Sequence, residues 1–265
     1  MKSLLGLGCA ASLLSLTAAA QMTPMTSDSV ASYEETRPEA DFVKRSVMIS
    51  MRDGVKLYTV IVMKKGTSGA PILLTRTPYD ARENTARTKS QRITEILPIM
   101  DAEFVEDNYI RVYQDIRGMH HSEGQYVEAR PIVGPQNNTG IDESTDAYDT
   151  IDWLVKNVPE SNGKVGVVGS SYPGFTAMMA EINPHPALQA AVPQSPMVDT
   201  WIGDDDFHNG AFRNPTLDYV VQQSTAKADE GRKIAAGVGD DYTRYLEAGS
   251  TGDYIRQWGD RKSVV

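Results

Sequence analysis

The chain has 265 residues, a formal net charge of −9 and a pI near 5.0. An acidic surface repels phosphate backbones and anionic lipid headgroups, so neither nucleic acid nor a membrane is expected as a partner. Cys9 is the only cysteine and lies in the N-terminal segment, so the rest of the chain has no disulfide to stabilise it.

The first 20 residues have the pattern of a secretory signal peptide. Lys2 supplies the positive charge, an apolar stretch follows, and Ala18-Ala19-Ala20 ends it. The stretch is short and contains polar residues, which disfavours a membrane anchor. We therefore expect cleavage before Gln21 and a periplasmic or secreted protein. The next segment, 21–42, is predicted to be a loosely structured arm.

Residues 43–199 alternate between β-rich and helical segments. The runs 46–51 and 55–63 flank an Asp-Gly turn and predict a hairpin. Further strands are predicted at 70–75, 109–113, 164–169 and 188–193, and helices at 85–100, 143–158 and 174–182. This alternation predicts the α/β class, with a mostly parallel sheet covered on both faces. After residue 199 the sequence becomes polar and aromatic, which is typical of an inserted lid.

The run Gly169-Ser170-Ser171-Tyr172-Pro173-Gly174 follows an apolar, β-rich segment and precedes a helical one. We interpret it as a G-x-S-x-G nucleophile elbow centred on Ser171, in which the serine sits on a sharp turn between strand and helix. A Cβ at either flanking glycine would crowd the turn or block close helix–strand packing. Without this context, a Gly-Ser turn with no chemistry is equally plausible.

A serine hydroxyl is a weak nucleophile and needs a general base. In α/β-hydrolases the chain order is Ser, then Asp or Glu, then His. None of the four histidines fits, because His120 and His121 precede Ser171, while His185 and His208 follow it too closely. We expect the catalytic Asp and His to lie outside this sequence. The chain is then an N-terminal portion of a longer hydrolase, or a truncated product.

The motifs together resemble the CocE/NonD and X-prolyl dipeptidyl-peptidase (S15-like) serine hydrolases, and most of all the α-amino-acid ester hydrolases. The similar segments are 51–57, 76–79, 115–118, 122–124, 169–174 and 204–213. The resemblance runs from about residue 40 to the end. It implies an α/β-hydrolase fold of which 43–199 is the N-terminal part, a helical cap starting in 200–265, and a C-terminal jelly roll that is not in this chain.

The resemblance also implies a role for four residues. Ser171 would be the nucleophile that forms an acyl-enzyme. The Tyr172 backbone N–H and the Tyr79 hydroxyl would donate to the oxyanion, and Asp205 would bind the substrate α-ammonium group. From the residues alone, Tyr79 is better explained as a turn aromatic after Pro78, and the Asp-rich segment around 205 as a solvated loop.

Other polar residues are expected to be structural. Adjacent residues of a strand face opposite ways, so His120 and His121 are predicted to lie in a loop rather than to bind a metal. Asp115 and Arg117 are predicted to form a structural ion pair or to brace a turn. No cofactor and no metal are expected.

Three functions remain open. The first is a secreted serine hydrolase that cleaves or transfers the acyl groups of α-amino-acid esters and amides, small-molecule substrates. The second is an X-prolyl dipeptidyl-peptidase or a general acyl esterase. The third is a catalytically dead remnant that lacks the Asp and His of the triad. A homo-oligomer is compatible with a full-length form.

Overall fold

The computed structural model describes residues 40–199, 202–203, 207–212, 240–249 and 253. The predicted signal peptide, nearly all of the arm and most of the predicted cap lie outside these residues. Among the helices that are described, none combines the length and the apolar character that a membrane span requires.

A six-stranded mixed sheet organises the described residues, in the order β1-β2-β4-β3-β5-β6. The strands are β1 (Phe42–Ser50), β2 (Lys56–Lys64), β3 (Ala70–Thr77), β4 (Ile110–Asp115), β5 (Ser161–Ser170) and β6 (Leu188–Gln194). The β1–β2 and β2–β4 pairs are antiparallel, and β3–β4, β3–β5 and β5–β6 are parallel. Each strand predicted from the sequence is present, and the Asp-Gly turn joins β1 to β2.

Helices pack on both faces of the sheet. In the described part of the chain these are α1 (Ile93–Ile96), α2 (Ala102–Glu106), α3 (Glu143–Asn157) and α4 (Tyr172–Met179). A further helix, α5 (Asp241–Ala248), comes later in the chain. On one face, α3 and α4 bury Ile151, Leu154 and Ala177 in the main core. On the other face, Ile93 and Leu97 pack with β2 residues in a second apolar cluster. A two-stranded hairpin, β7 (Phe207–His208) and β8 (Ala211–Phe212), follows further on.

The helix predicted over 85–100 is wrong. This segment forms two short 3₁₀ turns and the single turn α1. Thr88 Oγ1 accepts the Ser90 N–H at 3.2 Å and Ser90 Oγ accepts the Arg92 N–H at 3.0 Å, so side chains take the place of helical partners. Pro98 then disfavours helical geometry at the preceding residue. The apolar residues that suggested a helix are buried against the sheet by an irregular segment instead.

The predicted helix at 143–158 is confirmed, and a capping box explains where it begins. Asp142 Oδ1 accepts the Thr145 N–H at 2.9 Å, and Thr145 Oγ1 accepts the Asp142 N–H at 2.9 Å. These bonds satisfy two backbone donors that a helix start would leave without partners. The cap fixes the first turn of α3 and thereby places Glu143 over the sheet.

Four buried ionisable side chains and the exposed Asp53 form a network between the sheet and α3. Arg76 of β3 pairs with Glu143 at 2.8 Å, and Arg117 pairs with Asp146 and Asp53, each at 2.7 Å. Burial lowers the pKa of Arg117, but the two carboxylates outweigh it and raise that pKa overall. Burial raises the pKa of Glu143, and the Arg76 charge opposes this rise. These charges are tolerated inside the protein because each has an opposite charge beside it.

Replacing Glu143 with Ala removes the nearer carboxylate from the buried Arg76 and leaves it only Asp146, at 3.7 Å. The free energy of unfolding should fall by about 3–5 kcal/mol. The matched control is Lys156→Ala, which breaks the Lys156–Asp152 pair at 2.7 Å on the surface of the same helix. That exposed pair is worth at most about 0.5 kcal/mol. Urea denaturation measures both values, and equal losses would show that the buried network contributes no more than a surface pair.

Candidate active site

Ser171 occupies the tight turn between β5 and α4. Its backbone has φ 62° and ψ −126°, a conformation that costs an ordinary residue about 1–3 kcal/mol. Two backbone hydrogen bonds hold it there. The Ser171 N–H donates to the Gln194 carbonyl of β6 at 3.0 Å, and the Phe175 N–H donates to the Ser171 carbonyl at 3.0 Å. The serine thus stands at the carboxyl ends of the parallel strands.

The two glycines around Ser171 are sterically required. A Cβ on Gly169 would lie 2.2 Å from the Pro173 carbonyl oxygen, and one on Gly174 would lie 2.3 Å from the Gln194 carbonyl oxygen. No real Cβ tolerates such contacts. The motif also needs a correction, since the strict pattern has its second glycine two residues after the serine. Here Pro173 holds that position, and Gly174 follows it.

Tyr172 anchors the start of α4 through its side chain. The ring is fully buried, and the hydroxyl accepts the Ala129 N–H at 2.9 Å and is hydrogen-bonded to Tyr126. Burial raises the pKa of the Tyr172 hydroxyl, so it stays neutral. The first N–H groups of a helix have no acceptor within the helix. The anchored ring therefore fixes the backbone N–H that the sequence assigns to the oxyanion hole.

Tyr79 lies two residues beyond the end of β3. Its N–H donates to Thr77 Oγ1 at 2.9 Å, and its partly buried ring packs against the apolar cluster that contains Tyr172 and Phe175. The structure thus places Tyr79 against the cluster to which these residues of the elbow helix also belong. Its role as an oxyanion donor stays a prediction.

All four histidines are among the described residues, and none is hydrogen-bonded to Ser171. His120 Nε2 lies 2.6 Å from the Pro78 carbonyl, and His185 Nδ1 accepts the Ala187 N–H at 3.1 Å. His208 lies in the hairpin beyond the sheet. Within the described residues, Ser171 therefore has no imidazole base.

The predicted ammonium-binding residue, Asp205, lies outside the described residues, as do Asp204 and Asp206. The Asp115–Arg117 region is described and braces a turn. Asp115 accepts the Ala81 N–H at 2.6 Å and the His121 N–H at 3.1 Å. It does not pair with Arg117, whose partners are Asp146 and Asp53.

Sequence reasoning missed that Arg76 supports the elbow. The Thr176 hydroxyl of α4 donates to the Arg76 carbonyl at 2.8 Å, while the Arg76 side chain contacts Glu143 and donates to Gln114 at 2.8 Å. A bond from the elbow helix thus reaches the buried ionic network. An arginine inside the otherwise apolar run of β3 was the available signal, because a buried charge requires a partner.

Comparison with known proteins identifies relatives over nearly all of these elements. The family described as X-Pro dipeptidyl-peptidase (S15 family) matches residues 53–265. Cocaine esterase from Rhodococcus sp. (strain MB1 Bresler) is 33% identical over 159 residues, which are 60% of this chain and 24% of that protein.

Two solved structures are more similar. An α-amino acid ester hydrolase is 52% identical with a TM-score of 0.78, over 91% of this chain and 39% of that one. An aminopeptidase from the marine sediment archaeon Thaumarchaeota archaeon is 47% identical with a TM-score of 0.81, over 90% and 39%. The predicted α/β-hydrolase fold and the predicted family resemblance are confirmed. The chain spans about a quarter of the curated relative and 39% of each structure.

Substitution of Gly174 by Ala tests the packing of the elbow. The new methyl group collides with the backbone of β6, so we expect the free energy of unfolding to fall by about 1–3 kcal/mol. Gly134→Ala is the control, because its nearest atom would lie at an ordinary 3.8 Å. This surface change should stay within about 0.5 kcal/mol. Equal stability of the two variants in chemical denaturation would contradict the close approach of α4 and β6.

Proposed function

Because the chain belongs to the S15 family of X-Pro dipeptidyl-peptidases, we propose that it forms the nucleophile-bearing part of a secreted serine hydrolase. The substrates are esters or amides of α-amino acids. Ser171 Oγ attacks the acyl carbonyl, a base takes the serine proton, and the leaving group departs from the tetrahedral intermediate. Water then hydrolyses the acyl-enzyme.

The observation that carries the proposal is the conformation of Ser171. A non-glycine residue at φ 62° persists only where its surroundings hold it, and such residues concentrate at functional sites. Here β6, Gly169 and Gly174 supply that constraint. Ser171 is partly exposed at this turn and not buried in the core, as nucleophilic attack requires.

The oxyanion hole follows from the same turn. The tetrahedral intermediate places a negative oxygen beside the first turn of α4, where the Tyr172 N–H donates to it. The second donor is the hydroxyl of Tyr79, whose ring packs against the apolar cluster that contains Tyr172 and Phe175. Loss of one such donor typically costs about 3–4 kcal/mol of transition-state stabilisation.

The choice of α-amino substrates rests on two relatives of about half identity. One is named as an α-amino acid ester hydrolase and the other as an aminopeptidase. Both names refer to compounds with an amino group next to the acyl group that is transferred. Asp205 is the residue that we assign to this ammonium group, because an enclosed carboxylate pairs with a cation far better than one in water.

A general acyl esterase is the second candidate. It is favoured by the relative named as cocaine esterase, whose name does not refer to an amino acid. The two candidates share the elbow and the oxyanion hole and differ only in the acyl pocket. The ammonium site is therefore the feature that separates them.

In this proposal, the general base is a residue other than the four histidines of this sequence. A chain with Ser171 and the oxyanion donors alone should show no turnover of an activated ester. A longer product of the same reading frame, if sequencing past codon 265 finds one, should be active and should lose activity on Ser171→Ala. Ser171-dependent turnover by the 265-residue chain would contradict this assignment, and an inactive long form would support a degenerate remnant.

In an active long form, Asp205→Asn should raise KM for an α-amino ester about 10–100-fold, since a charge-assisted hydrogen bond contributes about 1.5–3 kcal/mol. The matching ester without the amino group should be hydrolysed as before. Asp204→Asn is the control in the same segment and should leave both substrates unchanged. An equal change in KM for both esters would show that Asp205 does not bind the ammonium group, and it would favour the general esterase.

A further inference from the structure

A cluster of potential ligands lies at the carboxyl ends of β3 and β4, outside the proposed catalytic apparatus. It consists of Asp80, Asp115 and His121, whose ligand atoms lie within 4.8 Å of one another. Asp115 ends β4 and Asp80 comes three residues after β3. These neighbouring strands are parallel, so their carboxyl ends meet at one edge of the sheet. The loop after β4 then returns His121 to the same place.

The imidazole is the least satisfied member of the cluster. His121 Nε2 is buried and has no hydrogen-bond partner among the described residues. Its opposing atom is Asp80 Oδ1, at 3.6 Å, which is too long for a hydrogen bond. The ring is held from the side by an edge-to-face contact with Tyr58, with centroids 4.9 Å apart. His121 Nε2 therefore lies beside the Asp80 carboxylate without a hydrogen bond to it.

The two carboxylates have acceptor capacity left. Asp115 accepts one backbone N–H on each oxygen, and Asp80 Oδ1 accepts the Arg82 and Glu83 N–H groups at 2.9 and 3.3 Å. A carboxylate has about four lone-pair sites. Both side chains are thus fixed by the backbone and still able to coordinate a cation.

The electrostatics favour a cation between them. Asp115 is completely buried, and its carboxylate and that of Asp80 have oxygen atoms within 4.8 Å of each other. Two carboxylates this close together in a partly buried site repel each other, and a divalent ion would relieve this repulsion. His120 also faces the cluster, with Nδ1 3.9 Å from Asp80 Oδ2. Its Nε2 is already engaged with Pro78.

We propose that Asp80, Asp115 and His121 bind one divalent transition-metal ion of the Zn²⁺ class. Two oxygen donors and one imidazole nitrogen suit such an ion better than Mg²⁺ or Ca²⁺, which prefer oxygen alone. Ligand atoms that share one zinc at about 2.0–2.2 Å lie roughly 3–4 Å apart. The 3.6 Å between His121 Nε2 and Asp80 Oδ1 already meets this separation. The sequence alone predicts only a loop at His121, because Asp80 comes from a distant position in the chain.

The ion would also have a structural consequence near the elbow. Asp80 directly follows Tyr79 and has φ 59°, so it is held in a turn that few residues adopt. Coordination through Asp80 would stabilise this turn and the backbone of Tyr79. Binding of the ion can be measured without turnover and without a general base.

The test uses the untagged 265-residue chain after dialysis against EDTA, titrated with ZnCl₂ by calorimetry and followed by thermal unfolding. We expect one Zn²⁺ per chain and a rise in Tm on binding. His121→Phe keeps the ring contact with Tyr58 and removes the donor, and it should weaken Zn²⁺ at least tenfold. Asp80→Asn keeps an oxygen for the Arg82 and Glu83 N–H groups and should weaken Zn²⁺ as well. MgCl₂ in place of ZnCl₂ should give no heat of binding at micromolar concentration.

His208→Asn is the matched control, since His208 is exposed in the β7–β8 hairpin, and it should bind Zn²⁺ like the wild type. Circular dichroism confirms that each protein is folded before titration. A folded wild type that takes up no Zn²⁺ would overturn the site and leave His121 as a simple ion-pair partner of Asp80. Undiminished binding by His121→Phe, or lost binding by His208→Asn, would equally place the ion elsewhere.

Discussion

The geometry of the described residues depends on one close approach, that of the elbow helix α4 to strand β6 of the sheet. The Gln194 carbonyl oxygen accepts the Ser171 N–H, and it lies so close to Gly174 that no side chain fits there. One backbone oxygen therefore forms a hydrogen bond and sets a steric limit. This arrangement balances the strain of the Ser171 backbone, and the proposed nucleophile has its position because a glycine lets the two elements pack closely.

The buried polar contacts also fix the position of the elbow helix. Helix α4 is bonded to β3 through Thr176 and the Arg76 carbonyl, and the Arg76 side chain reaches Glu143 at the start of α3. Charges are costly inside a protein, but hydrogen-bonded pairs fix relative positions more sharply than apolar contacts, which are non-directional. In this protein they connect the elbow, the central strand and the capped helix. The Asp142 cap is part of the same chain of contacts, since it sets where α3 begins.

The sequence predicted the elements whose signal is local. The β-rich runs predicted the strands, and the Asp-Gly turn predicted the hairpin. A glycine-flanked serine between a strand and a helix predicted the elbow, although Pro173 stands where the strict pattern has its second glycine. The prediction of a helix over 85–100 was wrong because the Thr88 and Ser90 hydroxyl oxygens accept backbone N–H groups that a helix would use. The spacing of apolar residues carries no information about such hydrogen bonds. Sequence reasoning also treated His121 as an isolated loop residue. Asp115 ends the strand that precedes the loop of His121, whereas Asp80 follows β3, and the parallel pairing of β3 and β4 brings Asp80 to the other two.

The bond between Ser171 and Gln194 has a consequence for the order in which the protein forms. The hairpin β1–β2 pairs residues close in sequence, whereas the elbow stays unconstrained until the strand 188–194 has been synthesised and paired with β5. The backbone of Ser171 therefore reaches its native conformation only after β6 has paired with β5. A chain in which β6 is still unpaired would leave the turn at Ser171 relaxed, without the hydrogen bond that holds its positive φ.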